Sequence, residues 1–500
     1  MAISASAATC ACFAVLVGCC PCVLMALLKR VAVASASRYL HVSLIPVVSC
    51  VALSATCHHC SGQLKENTAE IFGIELATDY EYKFSSAKAA VFTWYGCTLE
   101  TTGWVSSMYV SQDTPMKSYV NTHAQLEARR DMALQALQTG HAHVTGPRVM
   151  VVGETDSGKS TLANILAAYA VRLRRCPTFV DLDVGQGMIT VPGCIAAAAL
   201  DSNSMSVEEG FSLTAPLVFF YGHTSLQENP ELFKKLVERM AECLKRRVAN
   251  DIDASSSGVI FNTCGQEGAW VEGLGLELLV HAIATLSADV VLVMKHDRLY
   301  ADLVATLPRS VVVINLPRSG GVVQRNSQYR RASRARRCRE YFYGGGGGGG
   351  VAGSANGAPA LSPAALHLEF NDVSIFRIGG VSVSDAMLPV GQSDSMLGPL
   401  QARKQGSVNP VYPSSELLHS VLAVCHPVLR RDGTMLGGAS GLEGDADSAE
   451  AGQELINSNT AGFVYVTEVD MDKRRLAVLS PCPGSLPSRF LLAGTVKWLE

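Results

Sequence analysis

The apolar run ValMetValVal (149–152) leads into Gly153-Glu-Thr-Asp-Ser-Gly158-Lys159-Ser160-Thr161, and this stretch decides the fold. The four apolar residues predict a buried strand, and Leu162–Arg174, free of Gly and Pro, predicts a helix. The residues between them fit G-x-x-x-x-G-K-[ST], in the strand-to-helix context that this motif requires. Its glycines let backbone N–H groups turn inward around phosphate oxygens, and the helix start adds partial positive charge. Lys159 then supplies a full charge for the β- and γ-phosphates, and the Ser160 hydroxyl is a candidate Mg²⁺ ligand.

A second motif follows another apolar strand: Asp181-Leu-Asp183-Val-Gly185-Gln186-Gly187. Asp183 stands at the C-terminal end of that strand, where α/β sheets bind their ligands. Such a carboxylate helps hold Mg²⁺ or takes the proton of an acceptor hydroxyl. Gln186 is in position to touch the transferred group, and Asp181 reads as structural.

Outward from these motifs, strands at 178–184, 217–221, 258–262, 289–294 and 310–315 alternate with helices at 229–248, 274–286 and 297–305. Continuous apolar strands between helices predict an α/β domain, 141–343, built on a parallel sheet with both faces covered. Before it, 61–116 reads as a small β domain and 117–140 as a helical connector. After it, the seven-glycine run within 344–363 reads as a linker, and 364–500 as a second β-rich domain with an acidic loop at 438–454.

Composition narrows the function classes. Over 500 residues, 48% are hydrophobic, 17% are charged and the net charge is −3. A polycation that coats nucleic acid is excluded, so any RNA contact requires a local basic patch. The cysteines do not suggest a disulfide framework: eight lie in the first 60 residues and eight are scattered from Cys97 to Cys482. Residues 2–28 carry no charge, which permits a membrane span or signal anchor, but no basic segment precedes them. An N-terminal extension (1–60), or a start assigned too far upstream, is preferred, and no membrane partner is expected. Cys57-His-His-Cys60 has metal-ligand spacing without a second pair, which argues against zinc.

Eight arginines fall between Arg318 and Arg339 with no acidic residue among them. They read either as a solvated helix face or localisation signal, or as a lid whose guanidiniums stabilise phosphoryl transfer. The lid reading is preferred, with Arg331, Arg334 and Arg337 on one face. Trp270 lies in a loop after a strand, where it either stacks on a base or packs internally.

Together these residues resemble the eukaryotic polyribonucleotide 5′-hydroxyl kinases of the pre-mRNA cleavage and polyadenylation machinery. Besides the two motifs, the landmarks include AlaGluIlePheGly (69–73), AlaValPheThrTrp (90–94), SerGlnAspThrProMet (111–116), AsnThrCysGly (262–265), SerGlyGlyValValGlnArg (319–325) and ArgGluTyrPheTyrGly (339–344). The resemblance runs from about residue 68 to residue 500. It implies an N-terminal β domain, a P-loop kinase domain and a C-terminal domain, with ATP and Mg²⁺ used to phosphorylate RNA 5′-hydroxyl ends. It also implies a nuclear location, other cleavage-factor subunits as partners and, in animals, the tRNA-splicing endonuclease. By the same resemblance Lys88 contacts the nucleotide, and Asp156, Ser157, Gly158, Lys159, Ser160 and Thr161 bind phosphate. Asp183 meets the attacking hydroxyl, and Trp270 clasps the substrate base. Four departures stand out: no match in residues 1–60 for the family's first strands, Glu154 where Pro is usual, a four-residue insertion, Gln266–Ala269, before Trp270, and seven glycines in place of an aromatic-rich segment after Tyr343. The competing expectation is a catalytically silent, ATP-bound subunit of the cleavage factor.

Overall fold

The computed structural model describes residues 34–36, 39–44, 49–54, 60–84, 88–103, 107–111, 114–140, 144–207, 210–211, 215–265, 273–344, 361–379, 408–426, 452 and 454–499. The expectations for residues 2–28, Cys57-His-His, the 266–269 insertion, Trp270, nearly all of the glycine linker and the acidic loop lie outside these residues. Among the described residues no helix is long and apolar enough to cross a membrane, and no cluster of His, Cys, Asp and Glu could hold a metal. The chain divides into two compact units, residues 1–114 and 115–500.

The first unit carries two five-stranded antiparallel sheets. Leu64, Ile71, Val91, Phe92 and Leu99 are buried in it. The sequence reading starts this domain at residue 61, and the structure extends it. Tyr39–Leu44 pairs with Cys97–Gly103, and Ser49–Ser54 pairs with both Lys88–Thr93 and Ser107–Ser111. Residues 34–54, read from sequence as part of an extension, therefore supply strands to both sheets.

The second unit opens with helix α1 (Met116–Gln138). One face of it is buried at Tyr119, Thr122, Leu126, Arg130 and Ala133, a spacing of three to four residues. The central sheet comprises β1 (Arg148–Gly153), β2 (Thr178–Asp181), β3 (Cys194–Ala199), β4 (Leu217–Phe220), β5 (Val259–Asn262), β6 (Val290–Met294) and β7 (Val312–Leu316). Its order is β4-β3-β2-β5-β1-β6-β7. The five strands from β2 to β7 run parallel, while β3 and β4 add on antiparallel. The expected parallel sheet is thus present with an antiparallel edge. Strand β3, CysIleAlaAlaAlaAla, was not legible because alanine carries neither β propensity nor an alternating pattern.

Helices α2 (Lys159–Arg172), α3 (Pro230–Asn250), α4 (Ile252–Ser257), α5 (Leu274–Thr285), α6 (Asp297–Thr306) and α7 (Ser327–Tyr343) complete the kinase-like portion. The local sequence explains α3 well. Asn229 caps it by accepting a hydrogen bond from the Leu232 amide, Pro230 occupies its first turn, and Leu232, Leu236, Val237, Met240 and Leu244 form its buried stripe. Burying each such side chain is worth about 1.5–3 kcal/mol before chain entropy is charged.

The C-terminal sheet is β8 (Ala364–Glu369), β9 (Ser374–Ile378), β10 (Val408–Val411), β11 (Val421–Cys425), β12 (Thr460–Asp470), β13 (Arg475–Ser480) and β14 (Phe490–Ala493). Its order is β8-β13-β12-β11-β14-β9-β10. It does not stand apart from the kinase portion. Phe219 and Val191 share one hydrophobic core with Phe463, Val496 and Trp498. At the seam the backbones touch: a Cβ on Gly494 would lie 2.1 Å from the Gly222 carbonyl oxygen, so only glycine fits there.

Candidate active site

Strands β1, β2 and β5 are parallel neighbours, so their C-terminal ends open on one edge of the sheet. The loops after them carry Lys159, Asp183 and Gly265, and the topology thereby gathers residues more than 100 positions apart. The loop after β1 turns through left-handed conformations at Asp156 (φ 55°) and Gly158 (φ 96°). Gly158 caps α2 without a side chain, which leaves the first-turn amides for an anion. Ser160 and Thr161 occupy that first turn and are half-buried.

Within the loop, the Glu154 carbonyl oxygen accepts from the Ser157 hydroxyl at 2.8 Å and from Lys159 Nζ at 2.6 Å. The Thr155 hydroxyl donates to the Gly265 carbonyl oxygen, which ties this loop to the end of β5. Gly265 is needed there, since a Cβ would sit 2.6 Å from Lys159 Nζ and 2.7 Å from Thr155 Cα. Glu154 adds a contact that its sequence did not announce: its carboxylate lies 3.1 Å from His296 Nε2. His296 Nδ1 accepts from the Leu299 amide, so Nε2 carries the proton that meets Glu154.

Lys159 is only 6% exposed. Burial pulls its ammonium below the usual lysine range, and Asp183 is the first of the groups that oppose this. Asp183 is itself raised by burial, with Lys159 acting against the rise. One of its oxygens, Oδ1, is taken by the Gly185 and Gln186 amides at 2.9 and 3.2 Å, which shapes the loop around the carboxylate. Asp181 works from beneath. It accepts from the Asp183 amide at 3.1 Å, the Asn262 side chain at 3.0 Å and the Met188 amide at 2.5 Å. Burial, then the neighbouring Asp183, pushes Asp181 up to about 6. The structural role read for Asp181 matches this saturated environment.

The arginine-rich segment forms α7, capped by Asn326. Its grip on the phosphate loop comes from residues that the sequence reading did not single out. Asp156 Oδ2 accepts from the Arg325 amide at 2.7 Å and from the Arg330 guanidinium at 3.0 Å. Of the three expected arginines, Arg334 is half-buried. Burial lowers its guanidinium, Arg331 and Arg330 add to this, and Asp183 acts in the opposite sense. Arg337 is instead paired with Glu340 at 3.1 Å. Lys88 begins a strand of the first unit, and Trp270 falls outside the described residues. The missed contacts share one signal: Asp156, inside the phosphate loop, is an acid that a basic lid can grasp.

Comparison with known proteins agrees with this geometry. The family described as "mRNA cleavage and polyadenylation factor CLP1 P-loop" matches residues 153–344. "Pre-mRNA cleavage complex II protein Clp1" matches 361–500, and "N-terminal beta-sandwich domain of polyadenylation factor" matches 54–133. A Dictyostelium discoideum protein called "Protein CLP1 homolog" is 40% identical over 443 residues, covering 88% of this chain and 85% of that one.

The chain belongs to the Clp1 family.

Another relative, the Homo sapiens "Polyribonucleotide 5'-hydroxyl-kinase Clp1", is 39% identical over 439 residues, covering 88% of this chain and 91% of its own. Among solved structures, a wild-type Clp1p–Pcf11p complex superposes with a TM-score of 0.71 at 24% identity, over 92% of this chain and 98% of that one. A further Clp1p–Pcf11p structure, with a TM-score of 0.70 at 23% identity, is described as explaining ATP loss in a point mutant. Membership in the Clp1 family makes this a P-loop, nucleotide-binding chain, with residues 153–344 matching the P-loop model.

Proposed function

We propose that this Clp1-family chain transfers the γ-phosphate of ATP to the 5′-hydroxyl of RNA, in the nucleus, as a subunit of the pre-mRNA 3′-end cleavage assembly. Relatives named as polyribonucleotide 5′-hydroxyl kinases support the chemistry, and the Clp1p–Pcf11p complexes support the assembly. Attachment to the tRNA-splicing endonuclease belongs to the same proposal. The observation that carries the reading is that Lys159 and Asp183 are both buried and lie within electrostatic reach of each other, with the lid's Arg334 also in reach of Asp183.

The RNA 5′ oxygen forms a bond to the γ-phosphorus, the bond from that phosphorus to the β–γ bridging oxygen breaks, and ADP leaves. The hydroxyl proton passes to the Asp183 carboxylate. Lys159 and Arg334 stabilise negative charge on the migrating phosphoryl, and the first-turn amides of α2 hold the phosphates in line. Mg²⁺ prefers hard oxygen donors, and the Ser160 hydroxyl fits it; when bound, it would neutralise phosphate charge. Trp270 is assigned to the terminal base and Lys88 to the nucleotide.

Labelling of a 5′-hydroxyl oligoribonucleotide with γ-labelled ATP tests this reading. The wild type is expected to label it, and folded Lys159→Ala to lose at least about a hundredfold, the scale of one preorganised charge. A wild type that retains ATP through purification and labels nothing refutes the kinase reading in favour of a silent, ATP-clamped subunit.

A further inference from the structure

The lid helix is held at both ends. Its leading end is pinned where Arg330 and the Arg325 amide grip Asp156. Its trailing end is pinned by the C-terminal domain. The Phe342 ring lies parallel to Trp498, with centroids 5.5 Å apart and an interplanar angle of 2°. Next to it, the Phe463 amide donates to the Tyr341 hydroxyl at 3.0 Å. Phe342 is fully buried, and Trp498 is 3% exposed. Trp498 is fixed in turn: its amide donates to the His419 carbonyl oxygen at 2.9 Å, and its ring packs on Tyr465 at 4.8 Å.

We propose that Trp498 is a positioning residue for phosphoryl transfer, through which the C-terminal domain sets the height of Arg334 above Asp183. The inference rests on the kinase reading and extends it to the C-terminal domain.

The lever can be worked from helix geometry. At 1.5 Å per residue, Arg330 and Phe342 are about 18 Å apart along α7, and Arg334 is about 6 Å from the Arg330 pin. A shift of about 3 Å at the freed Phe342 end then moves Arg334 by about 1 Å. Misplacement on that scale costs up to roughly a hundredfold in rate. The ATP cradle on α2 stays where it is, so the nucleotide KM is insulated.

The test is steady-state phosphate transfer to a 5′-hydroxyl oligoribonucleotide by full-length Trp498→Ala. The expected result is a kcat about tenfold to a hundredfold lower, an ATP KM within threefold of wild type, and recovery of most of the rate in Trp498→Phe. In an Arg334→Ala background the same Trp498→Ala change is expected to cost less than about threefold more. A wild-type kcat in Trp498→Ala, or the full loss repeated without Arg334, overturns the proposal. If Trp498→Ala is recovered unfolded, Tyr341→Phe carries the test. It removes one hydroxyl and keeps the ring, and a kcat about threefold to tenfold lower is expected; an unchanged kcat overturns the proposal. Hydrogen exchange provides a readout that needs no turnover. The α7 amides must exchange faster in Trp498→Ala while those of α2 do not, and equal protection in α7 refutes the anchor. A wild type that labels no RNA but shows this exchange pattern removes the kinase reading and leaves the anchor standing.

Discussion

Gly265→Ala adds one methyl group where β5 meets the phosphate loop. The new Cβ would lie 2.6 Å from Lys159 Nζ, 2.7 Å from Thr155 Cα and 2.9 Å from the Thr155 nitrogen. Comfortable carbon–carbon contact needs about 3.5–4.0 Å, so roughly 1 Å of backbone must give way. The lysine tip can swing aside, but Thr155 cannot without loosening its bond to the Gly265 carbonyl. Overpacking of this kind costs about 1–3 kcal/mol of stability, and a 1 Å displacement of the phosphate cradle costs about a hundredfold in rate. The assay is kcat/KM for ATP alongside a thermal melt. The expected outcome is a fall of about a hundredfold in kcat/KM, with a midpoint lowered by only a few degrees. Gly140→Ala is the control. Its backbone is left-handed (φ 87°) but nothing lies within 4 Å, so it carries strain of about 1–2 kcal/mol and no effect at the site. A Gly265→Ala enzyme with wild-type ATP kinetics would show that the loop yields freely, and the reasoning would fail.

Two further predictions concern the buried charges. Asp181, pushed up to about 6 and adjacent to Asp183, makes the pair hold a proton in mildly acidic solution. Both carboxylates are raised, so the proton acceptor is lost as pH falls: kcat/KM should decline on the acid side at a higher pH than an ordinary carboxylate would give, and Asp181→Asn should move that acid limb to lower pH, whereas an unmoved limb in the pH–rate profile contradicts the coupling. On α1, Arg130 is fully buried, donating to the Ser257 carbonyl oxygen at 2.9 Å and to Glu127 at 3.1 Å. Arg130→Ala strands the Ser257 carbonyl and leaves Glu127 with Arg175 alone, and should destabilise the second unit by about 1–3 kcal/mol, read as a lower urea midpoint; a shift under about 1 kcal/mol would mean that water replaces the guanidinium at no cost.

How much of this was legible depends on whether the determinant is local. The phosphate loop is read directly because its glycines, lysine and flanking strand are contiguous, and each is required by backbone geometry or charge. Asp183 is legible for the same reason, as a carboxylate just beyond the end of an apolar strand. The grip of Arg330 on Asp156 was not, because the three-residue spacing within the arginine run pointed to Arg331, Arg334 and Arg337, while the structure pairs Arg330 with Asp156 and Arg337 with Glu340. The strands at 39–54 escaped because their partners lie in residues 88–111, far downstream in the chain.

By itself, therefore, the sequence determined the α/β class, the nucleotide loop, its lysine and its carboxylate, because each is encoded within a dozen neighbouring residues. Only the tertiary structure decided which arginine pins the lid, that the C-terminal sheet shares a core with the kinase portion, and that Trp498 holds the far end of α7. Those facts rest on contacts between residues more than a hundred positions apart. Such contacts are selected by packing complementarity and the pairing of buried polar groups, and neither leaves a periodic trace along the chain.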